Sequence, residues 1–149
     1  MDQIEFPTRE IWESRREWFE HKFDTEARGG AFILGEHATA LLVDLQAIYC
    51  AGAFVSVLII SCAVIDAHLR ETELDENFGG GMKAAFAVSA FGIELEWLRQ
   101  RRNSLVHWNT RNHPILSVDN HYSNRAIHEQ EAQRAISIIA EVLFENPWI

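Results

Sequence analysis

The stretch DLQAIYCAGAFVSVLIISCAVID, Asp44 to Asp66, decides the fold: between its two terminal aspartates it carries no charge. A run of this length and apolarity invites a test as a membrane span. An aspartate bounds each end, Ser56 and Ser61 interrupt it, and no lysine or arginine stands close to its start, so the pattern of a membrane helix is missing. The alternative is a buried helix of a globular protein, apolar all round and covered on every side. The sequence predicts such a helix from about Glu36 to Arg70. Ala51, Gly52, Ala53 and Ser56 are small enough to let neighbouring helices approach closely. A short chain has few helices with which to surround it, and a second copy would supply the missing cover; a homodimer is therefore expected.

Working outward, the first helix is predicted to start near Thr8, an N-cap residue with Glu10 in the first turn. Ile11, Trp12, Trp18, Phe19 and Phe23 follow at helical spacing, and Arg28-Gly29-Gly30 ends the pattern. Residues 1–35 are read as an N-terminal helix and linker, and 36–145 as the core bundle of one domain spanning 1–149. Gly79-Gly80-Gly81 precedes a helical pattern, but no Gly-Lys-Ser/Thr follows at phosphate-loop spacing, so the glycines read as a hinge. A short helix is expected over Phe86–Ala90, another over about Gly92–His107, a loop over Asn109–Asn124, and a last helix over about Asn124–Glu145 with Ile136, Ile139 and Leu143 on one face. The three prolines, at 7, 114 and 147, lie outside these patterns. The expected fold is all-α: an up-and-down bundle of four to five helices around one long central apolar helix.

Composition agrees with a globular chain: of 149 residues, 48% are hydrophobic and 23% charged. The net charge of −9 argues against coating of duplex DNA, and any nucleic-acid contact must use a local basic patch. The start Met1-Asp2-Gln3-Ile4-Glu5 is acidic where a signal peptide is basic, and Cys50 and Cys62 on one helix would be roughly 18 Å apart, too far to bridge. Free thiols and the absent signal lead to an expected cytoplasmic location, with no membrane contact.

The segment richest in chemistry is LRQRRNSLVHW, Leu98 to Trp108. On an ideal helix Phe91, Leu95, Leu98, Arg102 and Leu105 form one stripe, which sets Arg102 in an apolar face. A guanidinium there needs an acceptor: a carboxylate of this chain, a partner chain or a phosphate. Asn103 and His107 share a face, whereas Arg102 and His107 stand roughly 140° apart around the axis. A site using both requires the reach of the arginine, a helix ending near His107, or a second copy across a two-fold axis.

Arg102-Asn103-Ser104-Leu105-Val106-His107 resembles the signature of HEPN domains: an arginine, a polar neighbour and a histidine a few positions on. The upstream helix, from Ala47 through Arg70, is similar to that family's long second helix, with Asp66 at its acidic position. The resemblance covers roughly residues 36–145. It implies a bundle that dimerises with the signature helices facing each other across a cleft, and an activity found in many members: metal-independent cleavage of RNA, often as a toxin or antiviral effector. Other members are binding or assembly modules without activity. The implied roles are proton transfer by His107, transition-state stabilisation by Arg102, orientation by Asn103, support of Arg102 by Asp66, and RNA contacts by Arg99, Arg101 and Arg111. No cofactor is implied. An antitoxin or nucleotidyltransferase is a partner such toxins have. In several of them a tyrosine two places after the histidine is modified by the partner; Asn109 stands there in this chain.

The chemistry suits the residue types. Histidine moves protons near neutrality, and arginine offers a permanently charged fork to phosphate. Each residue also has a structural reading. Arg102 pairs internally with Asp66 or Glu94, His107 complements a helix end, Asp66 serves Arg70 four residues on, Arg99, Arg101 and Arg111 are a solvated face, and Trp97 and Trp108 are packing. His107, His113, His121 and His128 have spacing too loose for a metal set, and no serine-nucleophile elbow occurs.

Overall fold

The computed structural model describes residues 6–107 and 117–146; within them the fold is all helical. The helices are α1 Arg9–Ala27, α2 Glu36–Cys50, α3 Phe54–Thr72, α4 Met82–Ala87, α5 Gly92–Val106, α6 Val118–Ser123 and α7 Arg125–Leu143. None is long and apolar enough to cross a membrane.

Helix α1 begins and ends as expected. The Thr8 hydroxyl accepts the Ile11 N–H at 3.2 Å, and Arg28 and Gly29 take positive φ, 49° and 72°, at the C-terminus. Its solvent face carries the i,i+3 and i,i+4 pairs Glu13–Arg16–Glu20 and Lys22–Glu26. Its other face is aromatic: Phe19 is buried, Trp18 packs on Tyr49, and Phe23 meets Phe144 edge-on.

The predicted single helix over 36–70 is two helices. The chain turns at Ala51-Gly52-Ala53 and folds α3 back along α2 as an antiparallel hairpin. Gly52 has φ +81°, its N–H donates to Tyr49 O at 2.9 Å, and Ala53 N–H donates to Ile48 O at 2.9 Å. These two bonds make a Schellman stop, built on the one residue type that enters this conformation freely. No polar turn residue marks the place: Gly52 itself is buried, between an exposed Ala51 and a half-buried Ala53. At the other end of α2, Gly35 offers no capping side chain, and Glu71 of α3 substitutes, accepting from His37 N at 3.0 Å and Ala38 N at 3.2 Å.

Helix α3 is the centre. It packs on α2, α5, α7 and α4, and Phe54, Val57, Leu58, Cys62, Val64, Ile65 and Leu69 are all but inaccessible to solvent. Leu95 and Leu98 of α5 and Ile136, Ile139 and Leu143 of α7 complete the core. The hairpin therefore supplies from within the chain the cover that the sequence argument sought from a second copy. The predicted Phe86–Ala90 helix lies earlier, as α4, with Gly81 at its N-cap. Part of the predicted 109–124 loop is helical, as α6, with Ser117 and Asn124 as its caps; residues 109–116 fall outside the described residues.

Gly52→Ala is expected to destabilise the protein by about 1–2 kcal/mol, the cost of a side chain in the left-handed region. A methyl group there also meets Nη2 of Arg125 at 2.5 Å and Nη1 of Arg15 at 2.9 Å. Urea denaturation measures the change; an unchanged midpoint would show that the turn relaxes to negative φ at no cost.

Candidate functional site

Helix α5 runs antiparallel to α3, with Leu98 O facing the Cys62 thiol and Arg101 reaching Glu131 of α7. Its C-terminus thus lies at the end of the bundle where α2 stops and α3 and α7 start. The helix ends at Val106. His107 is its C-cap in an extended conformation (φ −105°, ψ 128°), exposed, its backbone N–H donating to Asn103 O at 3.0 Å. The condition that α5 end beside the histidine is met.

Arg102 is half-buried on the predicted stripe: Leu95 and Leu98 are buried, and Phe91 and Leu105 pack on the core. Its Nη1 donates to Asn103 Oδ1 at 3.0 Å. Among the described residues it makes no ion pair, with Asp66, with Glu94 or with any other carboxylate. Burial pushes the Cys62 thiol up to about 12, with the positive charges of Arg102 and then Arg99 opposing the rise. A thiol held neutral in this way is no nucleophile at ordinary pH.

The supporting role expected of Asp66 is not the one it plays. Its Oδ2 accepts from Arg70 Nε at 3.0 Å, one turn along the same helix, and its Oδ1 is buried without a hydrogen bond. The short i,i+4 reach to Arg70 wins over a bond across to another helix. Asn103, expected to orient phosphate or imidazole, orients the arginine beside it.

Arg99 and Arg101, expected to contact RNA, are engaged inside the chain. Arg99 forks onto Glu96 with bonds of 2.9 and 2.8 Å; together with Gln100 it draws the Glu96 carboxyl down to about 2. Arg101 makes a short contact with Glu131 and donates to Ser104 Oγ at 3.1 Å. Glu131 escaped the sequence reading because it lies 30 positions away on another helix. Arg111, His113, Trp108 and Asn109 lie outside the described residues. Trp97 packs on the core beneath Arg134, whose guanidinium carbon is 3.7 Å from a Trp97 ring centroid. No group of three or more metal-ligating side chains occurs among the described residues.

Beside this site His128 of α7 is 4% exposed, its ring 5.8 Å from that of His121, with Nδ1 buried and unpartnered. At the opposite end His68 is 3% exposed, also with an orphan Nδ1, and Glu73 3.7 Å from Nε2. Burial pulls both imidazoles below the usual histidine range. Arg101, His121 and Arg125 add to this at His128 against Glu131, and Glu71 opposes it at His68. A depressed folded-state value means that the unfolded chain binds the proton first as pH falls. Stability is therefore fully present above about pH 6.5 and is lost as pH falls below it. Thermal unfolding should give a lower Tm at about pH 5.5 than at about pH 7.5, with the difference reduced in His128→Gln. An equal slope in wild type and variant would remove His128 from the account.

Comparison with known proteins gives no match: no family model, no curated protein and no solved structure corresponds to this chain.

Proposed function

We propose that this chain is a metal-independent endoribonuclease of HEPN type, acting as a homodimer on single-stranded RNA, with Arg102 and His107 as catalytic residues. One observation carries the reading: a half-buried guanidinium, Arg102, without a carboxylate partner among the described residues, five positions before a histidine at an exposed helix end. A cation so placed lacks a counter-ion, and a phosphate supplies one with the fork geometry arginine favours. As the 2′-oxygen attacks the adjacent phosphorus, negative charge grows on the non-bridging oxygens. Arg102, steadied by Asn103, stabilises it. His107 takes the 2′-hydroxyl proton, or gives one to the leaving 5′-oxygen, the two copies in a dimer sharing these tasks. The P–O5′ bond breaks, leaving a 2′,3′-cyclic phosphate and a 5′-hydroxyl. A toxin or defence role, with an antitoxin as partner, belongs to this same reading.

The test is cleavage of a single-stranded RNA by the purified protein in EDTA, with the new ends identified. Cyclic phosphate ends support the proposal. Absence of cleavage over a panel of RNA sequences defeats it.

A second reading is favoured by one feature: among the described residues the His107 side chain has no hydrogen-bond partner that would hold its ring in one orientation, as a committed general base usually has. On that reading the chain is a non-catalytic dimerisation or RNA/nucleotide-binding module. It gives RNA binding weakened by Arg102→Ala, without cleavage.

A further inference from the structure

Helix α3 begins directly after the Gly52 turn, and it begins uncapped. Among the described residues no side chain caps it, no acidic residue stands in its first turn, and the N–H groups of Phe54, Val55 and Ser56 have no acceptor. Helix α7 starts at the same end with no side-chain cap and no acid in its first turn, and its first residue is a cation, Arg125. A positive side chain at a helix N-terminus opposes the dipole.

Arg125 reaches across to α3, and Arg15 of α1 meets it there. A single methyl group placed on Gly52 would sit 2.5 Å from Nη2 of Arg125 and 2.9 Å from Nη1 of Arg15, so the two guanidinium groups converge on one point. Both lie over the buried ring of Phe54, at 4.9 Å for Arg125 and 5.1 Å for Arg15. Arg15 also donates to Cys50 O at 3.1 Å. Neither arginine makes an ion pair among the described residues, and Glu129, one turn on from Arg125, pairs with neither. Two like charges are thus held together, half-buried, between the C-terminal end of α2, where Arg15 finds Cys50 O, and the N-terminal ends of α3 and α7, in a chain whose net charge is −9.

We propose that Arg15, Arg125 and the uncapped start of α3 form a binding site for a phosphate group. Two guanidinium forks and three backbone donors exceed what a carboxylate can accept; a tetrahedral anion with three or four oxygens uses them together. Gly52 is part of the site, because any side chain there would stand where the two arginines meet. The site uses none of the residues assigned to cleavage, and a protein that never cuts RNA would still have it.

The experiment follows the arginine Nε–H and backbone amide NMR signals of the full chain during titration with sodium phosphate, against sodium chloride at equal ionic strength. Saturable shifts are expected at Arg15, Arg125 and Phe54–Ser56 with phosphate alone. Arg125→Gln and Arg15→Gln each raise the half-saturating concentration by roughly ten-fold or more, the loss expected for one charged hydrogen-bonding partner. Two variants are used so that poor folding of one leaves the other to decide. Adenosine monophosphate and an RNA oligonucleotide lacking terminal phosphates separate the sources: response to the first assigns a terminal phosphate, response to the second a backbone phosphate. Shifts equal in phosphate and chloride, or a phosphate response unchanged in both variants, overturn the proposal.

Discussion

His107→Ala should lower RNA cleavage by about 10²–10⁴-fold, the usual contribution of a positioned proton-transfer group, while thermal stability stays close to that of wild type. The two halves of this expectation have separate physical grounds. The imidazole is exposed and has no side-chain hydrogen bond among the described residues, and the bond from the His107 N–H to Asn103 O belongs to the backbone and survives the substitution. Exposed substitutions of this kind change stability by about 0.5 kcal/mol or less. A large loss of cleavage without a loss of Tm is then a chemical effect and not a folding effect. Arg102→Lys sharpens the test. It keeps the charge and removes the fork, so a role in the transition state predicts a fall in kcat that exceeds any rise in KM. Cleavage by His107→Ala at the wild-type rate would remove His107 from the chemistry and end the HEPN-type assignment.

Leu98→Ala should act in the opposite way, through the fold. Leu98 is fully buried, and its carbonyl faces the Cys62 thiol across the α3–α5 contact. Truncation removes a side chain from the centre of the core and leaves a cavity, at a cost of about 2–5 kcal/mol. For a chain of this length that lowers Tm on the order of 10 °C. Leu98 lies one turn before Arg102, so the variant also loosens the helix that presents it. Any cleavage should fall only as the folded fraction falls, and recover on cooling. A Tm within a degree or two of wild type would mean that α5 is not the wall of the core described above.

Much of the helical pattern was legible before any coordinates. Thr8 and Arg28-Gly29 bounded α1, Gly92 and His107 bounded α5, and the face carrying Ile136, Ile139 and Leu143 is buried in α7. The 36–70 run misled because its turn has no polar signature. Ala51-Gly52-Ala53 fits tight packing of a straight helix as well as it fits a reversal, and only the positive φ of Gly52 tells the two apart. Once the run folds on itself, the case for a dimer built on an uncovered helix lapses, and dimerisation rests on the proposed cleavage chemistry alone.

At the site the division is similar. Arg102 on an apolar stripe and His107 near a helix end follow from period and spacing within 15 residues of one helix. The fates of the neighbouring charges do not. Asp66 turns to Arg70 and Arg101 to Glu131, and Arg15 meets Arg125 across 110 positions of chain. The sequence by itself determined which residues are helical and which faces are apolar, because those are set by the 3.6-residue period and by local capping. Which charges are neutralised, and which two cations are left facing each other, was decided only by tertiary packing. A side chain takes whichever partner the packed helices bring within reach, and sequence separation carries no information about that distance.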